Sequence, residues 1–200
     1  MKPTKQFSRN MKFFALGAMA AVLFFSLAFP VHSLAASEDS TLKAFVERVK
    51  NGHAEQLRGM YAPGVTAATV TQQPENDPRF ISNEANVATQ FSMATKLGNV
   101  GLLAHNTLAG AQFFKMTVGG TITLVYGDGR TENFVIVEIA SYQVLDKGNY
   151  LNLATNQTEK VGDVFMKAYA GAYHLTLQTC IAKDGNNEWG RMFIIAQPVK

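Results

Sequence analysis

The sequence is poor in cysteine, since Cys180 is the only one among its 200 residues. An intramolecular disulfide needs two cysteines, so the chain is excluded from the small secreted proteins whose cores are held by such bridges. A lone thiol is an inert buried side chain, an intermolecular link or a reactive group.

The chain beyond residue 35 also lacks an excess of positive charge. Four of the 18 basic residues lie in the first 35 residues, and the remaining 14 face 15 acidic ones, which gives a net charge of −1. Nucleic-acid binding needs a basic surface, so no nucleic-acid partner is expected. Repeats and low-complexity tracts are missing as well, and about 165 residues fit one domain with a single core.

A long apolar run does occur near the N-terminus. Residues 1–12 carry four basic and no acidic side chains, and residues 13–29 run for 17 positions without a charge. Ser33 and Ala35 suit signal-peptidase cleavage after Ala35, whereas an uncleaved run of this length suits a membrane-anchoring helix. Residues 1–35 are therefore predicted to be a signal peptide or an N-terminal membrane anchor, with the rest of the chain secreted or anchored outside the cytoplasmic membrane.

Residues 36–64 are predicted to be a helical segment. Ser40 can cap a short helix that Asn51-Gly52 ends. Its apolar residues recur on one face: Leu42, Phe45, Val46 and Val49.

From Val65 onward the pattern predicts a mainly β structure. A short buried strand covers 100–104, and a hairpin joins 121–126 to 130–145 through the turn Gly127-Asp128-Gly129, whose glycines supply positive φ angles. The last two strands, 174–182 and 191–199, flank a loop at 183–190, and 157–170 are expected to be irregular with one or two helical turns. Many strands and few helices favour a closed barrel or a sandwich.

The alternation of the strand HLTLQTCIA orients Cys180. Leu175, Leu177, Thr179 and Ile181 fall on one face, and His174, Thr176, Gln178 and Cys180 fall on the other. The apolar set faces the core, so Cys180 points away from it. This direction favours a functional thiol over an inert one.

A reactive thiol needs a neighbouring base or cation. Of the four histidines, His32 lies in the leader, His53 lies beside the N-terminal helix, and His174 is ~20 Å from Cys180 along the strand. His105 remains, at the end of a buried strand where strand ends converge on a groove. The alternative for His105 is an ordinary loop histidine.

Arg191 opens the final strand. If the last two strands pair antiparallel, Arg191 lies opposite Cys180 or one residue away, where a guanidinium could stabilise a thiolate and an oxyanion. The alternative is a solvated arginine at the start of a strand.

Together these residues resemble the sortase family. The stretch TLQTC matches the sortase cysteine motif, and Arg191 matches the arginine that opens the next strand. GLLAHN followed by AGAQFF resembles the histidine segment, and VGGTITLVYGDGRTENFVIVEIASYQVL resembles the hairpin that follows it. The resemblance covers roughly 65–198 of this chain.

The resemblance implies a closed sortase-like β-barrel at 65–200, with a few short helices, acting as a cysteine transpeptidase. Cys180 would attack a threonine carbonyl in the C-terminal sorting signal of a surface protein, His105 would transfer protons to and from amines, and Arg191 would stabilise the oxyanion. An amino group from the cell wall or a pilin would then resolve the thioester. No cofactor or metal is expected. The expected substrate groove contains Gln178, Thr179, Phe193, Ile195 and Asn106, with Thr179 also a structural residue because its face points inward.

Two alternatives stay open. A cysteine peptidase of the same fold would only hydrolyse, whereas the order histidine then cysteine excludes a papain-like enzyme. A non-catalytic secreted β-domain would bind peptide in the same groove. Product analysis with and without an added amine separates the first from a transferase, and activity on an acyl donor separates the second from both.

Overall fold

The computed structural model describes residues 33–199, with side chains from Thr41 onward, so the predicted leader lies largely outside the described residues. The helical elements are α1 (Ser33–Val49), α2 (Ser92–Lys96), a 3₁₀ helix (Ala109–Lys115) and α3 (Val161–Tyr169). The strands are β1 (Leu57–Ala62), β2 (Thr66–Gln72), β3 (Val87–Gln90), β4 (Val100–Leu103), β5 (Thr121–Tyr126), β6 (Thr131–Val144), β7 (Asn149–Asn152), β8 (Thr158–Lys160), β9 (Leu175–Lys183) and β10 (Asn186–Pro198). No helix in this part of the chain has the length and apolarity to cross a bilayer.

Eight of the strands close into a barrel. Their order is β10-β9-β4-β3-β2-β1-β5-β6, and β6 pairs again with β10 to complete the ring. The short hairpin β7–β8 continues outward from the end of β6. Two of the pairings, β2 with β3 and β4 with β9, are parallel. The predicted mainly β, closed barrel is confirmed.

The barrel interior is the main apolar core. Leu175 and Leu177 of β9 and Ile194 of β10 are fully buried there, as the alternation along the last two strands predicts. Closure leaves these strands without a free edge, and it also brings their inward faces together around one core. Residues on the outward faces are then available for helices and for a site.

Helix α1 packs against the outside of β1. Its apolar face contacts Tyr61 and Val125, and Gly59 allows the close approach because a Cβ there would lie 2.7 Å from the ring of Phe45. The predicted helix face is therefore confirmed, but the helix begins at Ser33 rather than at a cap on Ser40.

The predicted helical segment 36–64 contains β1, so the barrel begins at Leu57 rather than near Val65. Strand β1 is covered by the core on one face and by α1 on the other. It consequently lacks the apolar–polar alternation by which a strand is recognised.

The β5–β6 hairpin is present as predicted, but only Gly129 of its turn has a positive φ. Gly127 serves a different purpose, because a Cβ at that position would lie 2.2 Å from the carbonyl oxygen of His53. The predicted loop at 183–190 is also shorter than expected. Asp184 and Gly185, both at positive φ, form a tight turn, and β10 begins at Asn186.

Helix α3 covers part of the outer face of β9, β10 and β6. It occupies most of the segment 157–170, where the sequence predicts mainly irregular structure. An aromatic cluster forms beneath it from Tyr142, Tyr169 and Phe193, with Phe91 and Phe165 beside them. This cluster fixes α3 on the sheet close to the outward face that carries Cys180.

Candidate active site

Cys180 and Arg191 face each other on the paired strands β9 and β10. Their Cα atoms are direct partners in the antiparallel register. Cys180 is a free, half-buried cysteine, and the side chain of Arg191 is 19% exposed. The pairing expected from the sequence is therefore observed, and it places a cation beside the thiol.

His105 lies on the other side of Cys180. Strand β4 runs parallel to β9 and ends with Leu103 opposite Gln178. His105 lies in the loop two residues after that strand end, and Cys180 lies two residues after Gln178 on β9. The backbone at His105 is fixed, since its carbonyl accepts hydrogen bonds from the amides of Leu108 and Gly110. The half-buried imidazole thus comes from the same end of the sheet as the thiol.

The guanidinium of Arg191 is held by the chain just before it. Nη1 donates to the carbonyl oxygens of Glu188 (3.2 Å) and Gly190 (2.9 Å), and Nη2 lies 3.8 Å from a carboxylate oxygen of Glu188. Residues 187–189 form a bulge, because β9 has one residue between Ile181 and Lys183 where β10 has three. The bulge turns the Glu188 carbonyl towards the arginine.

Asn106 links the histidine loop to this bulge. Its Nδ2 donates to the carbonyl oxygen of Asn187 at 3.0 Å. The place of Asn106 in a substrate groove stays a prediction, and its side-chain amide also joins two parts of the site.

The other predicted groove residues differ in exposure. Thr179 is only 2% exposed and donates to the Ala104 carbonyl oxygen at 2.8 Å, so it supports the site from beneath, as its inward face predicts. Phe193 is buried to 5% exposure and packs in the aromatic cluster with Tyr142 and Tyr169. Gln178 and Ile195 are half-buried.

A cleft of about 250 Å³ lies beside α3 on the outer face of β6 and β10. Its lining combines apolar residues with one acidic and one basic side chain: Glu138, Ala140, Tyr142, Val164, Lys167, Ala168, Phe193 and Ile195. Two of its residues are the Cα partners of residues at the site, Tyr142 of Arg191 and Phe193 of Gln178. Two of the predicted groove residues, Phe193 and Ile195, line this cleft.

Solved structures share this architecture. The SrtA sortase from Actinomyces oris matches at 13% sequence identity over 75% of this chain and 83% of that chain, with a TM-score of 0.51. Sortase C-1 from the same organism matches at 9% identity over 82% of this chain and 97% of that chain, with a TM-score of 0.50. The chain has the sortase fold. No protein-family model and no curated protein matches the sequence.

In this sortase fold, burial dominates the electrostatics of the thiol. Desolvation raises the pKa of Cys180 above its ordinary value, the charge of Arg191 lowers it, and the charge of Glu188 raises it. The thiol is consequently protonated at neutral pH. A mechanism at this site must therefore move the thiol proton as the sulfur attacks.

These opposing charges give a prediction for the pH profile of thiol alkylation. Arg191→Gln removes a cation that favours the thiolate, so the rate of iodoacetamide alkylation should rise at higher pH than in wild type. Glu188→Gln removes an anion that disfavours the thiolate, so the alkylation profile should shift to lower pH. This shift should be smaller than that of Arg191→Gln, because Glu188 is 76% exposed and screened by solvent. Mass spectrometry of the intact protein at a series of pH values gives both profiles.

Lys183→Gln is the matched control. It removes a positive charge from the same hairpin, but the Lys183 ammonium lies over the ring of Trp189 and is not among the groups that shift the pKa of Cys180. If Arg191→Gln leaves the profile unchanged, the guanidinium does not act on the thiol.

Three residues of the site could not be found from the sequence. Glu188 reaches it through a bulge, which has no sequence signal. Tyr169 reaches it through the docking of α3, where its hydroxyl donates to Gln178 Oε1. Gly110 is required because a Cβ there would lie 2.3 Å from Thr179 Oγ1 and 2.7 Å from the His105 carbonyl oxygen. Residues 33–199 contain no group of three or more His, Cys, Asp or Glu side chains placed to hold a metal.

Proposed function

We propose that this protein is a sortase-type cysteine transpeptidase, which cleaves a C-terminal sorting signal and transfers the protein to an amine at the cell surface. The observation that carries the proposal is the direct pairing of Cys180 on β9 with Arg191 on β10. His105 follows two residues after the end of β4, the strand that pairs with the other edge of β9. This arrangement supports the roles of nucleophile for Cys180, oxyanion donor for Arg191 and proton carrier for His105.

In the acylation step the sulfur of Cys180 attacks the carbonyl carbon of a threonine in the substrate. A C–S bond forms, and the electron pair of the C=O bond moves to the oxygen, where Arg191 donates hydrogen bonds to the resulting oxyanion. The C–N bond then breaks. The proton lost by the thiol reaches the leaving amine by way of His105, which leaves a thioester on Cys180 and a free amine.

The second step reverses the roles of the groups. An amine attacks the thioester, His105 accepts a proton from that amine, and the thiol of Cys180 recovers a proton as it leaves. Such an amine would come from the cell wall or from a pilin lysine. A segment such as residues 1–35 would keep the enzyme at the outer face of the cytoplasmic membrane, close to these partners.

The proposal is tested by trapping the thioester. The wild-type protein is incubated with a library of peptides that carry a central threonine, and its intact mass is measured. The expected result is a mass increase equal to the acyl part of one peptide, located on Cys180 and removed by hydroxylamine. No acyl-enzyme with any peptide would overturn the proposal.

Adding a panel of primary amines then separates transfer from hydrolysis. Formation of the amide product supports the transpeptidase. Exclusive formation of the free acid with every amine would identify a hydrolase that uses the same acylation chemistry.

Arg191→Lys is expected to lose most of the acylation activity although the charge is kept. An oxyanion beside a strand needs donors at fixed positions, and a guanidinium offers a rigid planar fork where an ammonium offers a mobile point. Loss of one oxyanion donor typically costs ~3 to 4 kcal/mol of barrier, roughly a hundred- to a thousandfold in rate. Single-turnover acylation of wild type, Arg191→Lys and Arg191→Ala measures the effect. A lysine variant near the wild-type rate, with an inactive alanine variant, would mean that only the charge is needed.

A further inference from the structure

Gln178 lies on the same outward face of β9 as Cys180, two residues before it, and its amide is held by a buried tyrosine. The hydroxyl of Tyr169 donates to Gln178 Oε1 at 2.7 Å. Two residues along a strand span roughly 6.6 Å, so the amide is a near neighbour of the thiol.

The tyrosine that holds this amide is itself fixed. Tyr169 is 1% exposed at the end of α3, its ring packs against Phe91, Phe165 and Phe193, and its carbonyl oxygen accepts a hydrogen bond from Asn99 Nδ2 at 2.9 Å. Burial raises the pKa of Tyr169, so the hydroxyl keeps the proton that it donates.

The other end of the Gln178 amide is free. Within residues 41–199, Gln178 Nε2 has no hydrogen-bond partner. Every side-chain nitrogen in that range that is buried from solvent does have one, so Nε2 must be accessible to solvent. Since the hydroxyl occupies Oε1, the group that Gln178 presents to a ligand is an NH₂ donor of fixed orientation.

We propose that Gln178 binds the acyl donor, with its NH₂ group donating to a main-chain carbonyl oxygen of the peptide that precedes the scissile bond, and that Tyr169 is the residue that positions Gln178. This inference rests on the proposed function. The spacing supports it, because two residues of an extended peptide also span roughly 6.6 Å. A peptide lying along β9 with its threonine carbonyl at Cys180 brings another carbonyl to the level of Gln178.

The test compares two alkylating reagents on the same thiol. Iodoacetamide has no peptide backbone, whereas acetyl-Ala-Ala-Ala-Thr chloromethyl ketone presents the carbonyls of an acyl donor and alkylates the sulfur with loss of chloride. Gln178→Met removes the donor at similar volume, and Tyr169→Phe removes only the hydroxyl that orients it. We expect both variants to lower the second-order rate constant for the peptidyl reagent about two- to tenfold relative to that for iodoacetamide, the range for one net hydrogen bond.

Tyr173→Phe is the matched control. Tyr173 lies on the segment that follows α3, and its hydroxyl donates to Glu132 at 2.9 Å, whereas the hydrogen bond to Gln178 comes from Tyr169. Its ratio of rate constants should equal that of wild type. With a peptide that acylates the enzyme, Gln178→Met and Tyr169→Phe should also raise KM more than they lower kcat.

Equal ratios in wild type, Gln178→Met and Tyr169→Phe would overturn the inference even where Cys180 forms an acyl-enzyme. Failure of the wild type to form any acyl-enzyme would instead overturn the proposed function. A lowered ratio in Tyr173→Phe as well would show a general loss of packing and would also contradict the specific role of Tyr169.

Discussion

Replacing Cys180 with alanine should abolish cleavage and acyl-enzyme formation while leaving the fold intact. The sulfur is the only nucleophile that the enzyme supplies in the proposed mechanism, and direct hydrolysis of the peptide by water would fall below detection. The side chain is half-buried on the outer face of the barrel rather than in its core, so its loss should change the free energy of unfolding by no more than about 1 kcal/mol. A fluorogenic peptide assay and thermal denaturation of the same samples measure both quantities.

Cys180→Ser is the companion variant, since it keeps the shape and replaces the thiol with a much weaker nucleophile. It should be inactive as well. Turnover by the alanine variant above background would show that the nucleophile lies elsewhere, and the assignment of the site would then be wrong.

Replacing His105 with alanine should reduce turnover by several orders of magnitude. Because the thiol is protonated at rest, both the attack of sulfur and the departure of the amine require a group that carries the proton between them. The carbonyl of residue 105 keeps its bonds to the amides of Leu108 and Gly110 in the variant, so the loop should retain its structure. Single-turnover acylation gives the rate, and the melting temperature shows whether the fold is kept.

Two other histidines serve as controls. His53 is exposed near the start of the barrel, and His53→Ala should behave as wild type. His174 is buried, with its ring nitrogens 2.7 Å and 2.9 Å from the carbonyl oxygens of Ala172 and Ala168, so His174→Ala should lower the melting temperature but keep most of the turnover of the folded protein. Equal losses of turnover in His105→Ala and His174→Ala would refute the role given to His105.

The sequence predicts the strands of this fold that alternate or flank a clear turn, and also the short apolar run of β4, which is buried throughout. Strands β5, β6, β9 and β10 show an alternation or a clear turn, and their pairing follows from it. In β1 the residues Arg58 and Gly59 interrupt the apolar run of a strand that is covered on both faces, and β8 has only three residues, so neither is recognised from the sequence. Helix α3 is longer than the one or two turns that the sequence predicts, and its buried face packs against β9, which follows it closely in the chain.

The contacts of the candidate site also divide into those that the sequence predicts and those that it does not. Arg191 opposite Cys180 is predictable because both residues lie on one hairpin, where the register follows from the alternation. The bond from Asn106 to Asn187 joins residues 81 positions apart, and the Tyr169–Gln178 bond depends on how α3 docks. Such contacts are set by tertiary packing, which a local pattern does not encode.

The tight turn at Asp184-Gly185 also bears on the order in which the site assembles. It makes the contact between Cys180 and Arg191 local in sequence, so this half of the site can form with the hairpin alone, early in folding. The histidine joins β9 only through the pairing with β4, where Thr179 and Ala104 are 75 residues apart, and such non-local closure is slow. During refolding, Cys180 should therefore pair with Arg191 before His105 reaches the site. The recovery of acylation activity would then report the closure of the barrel.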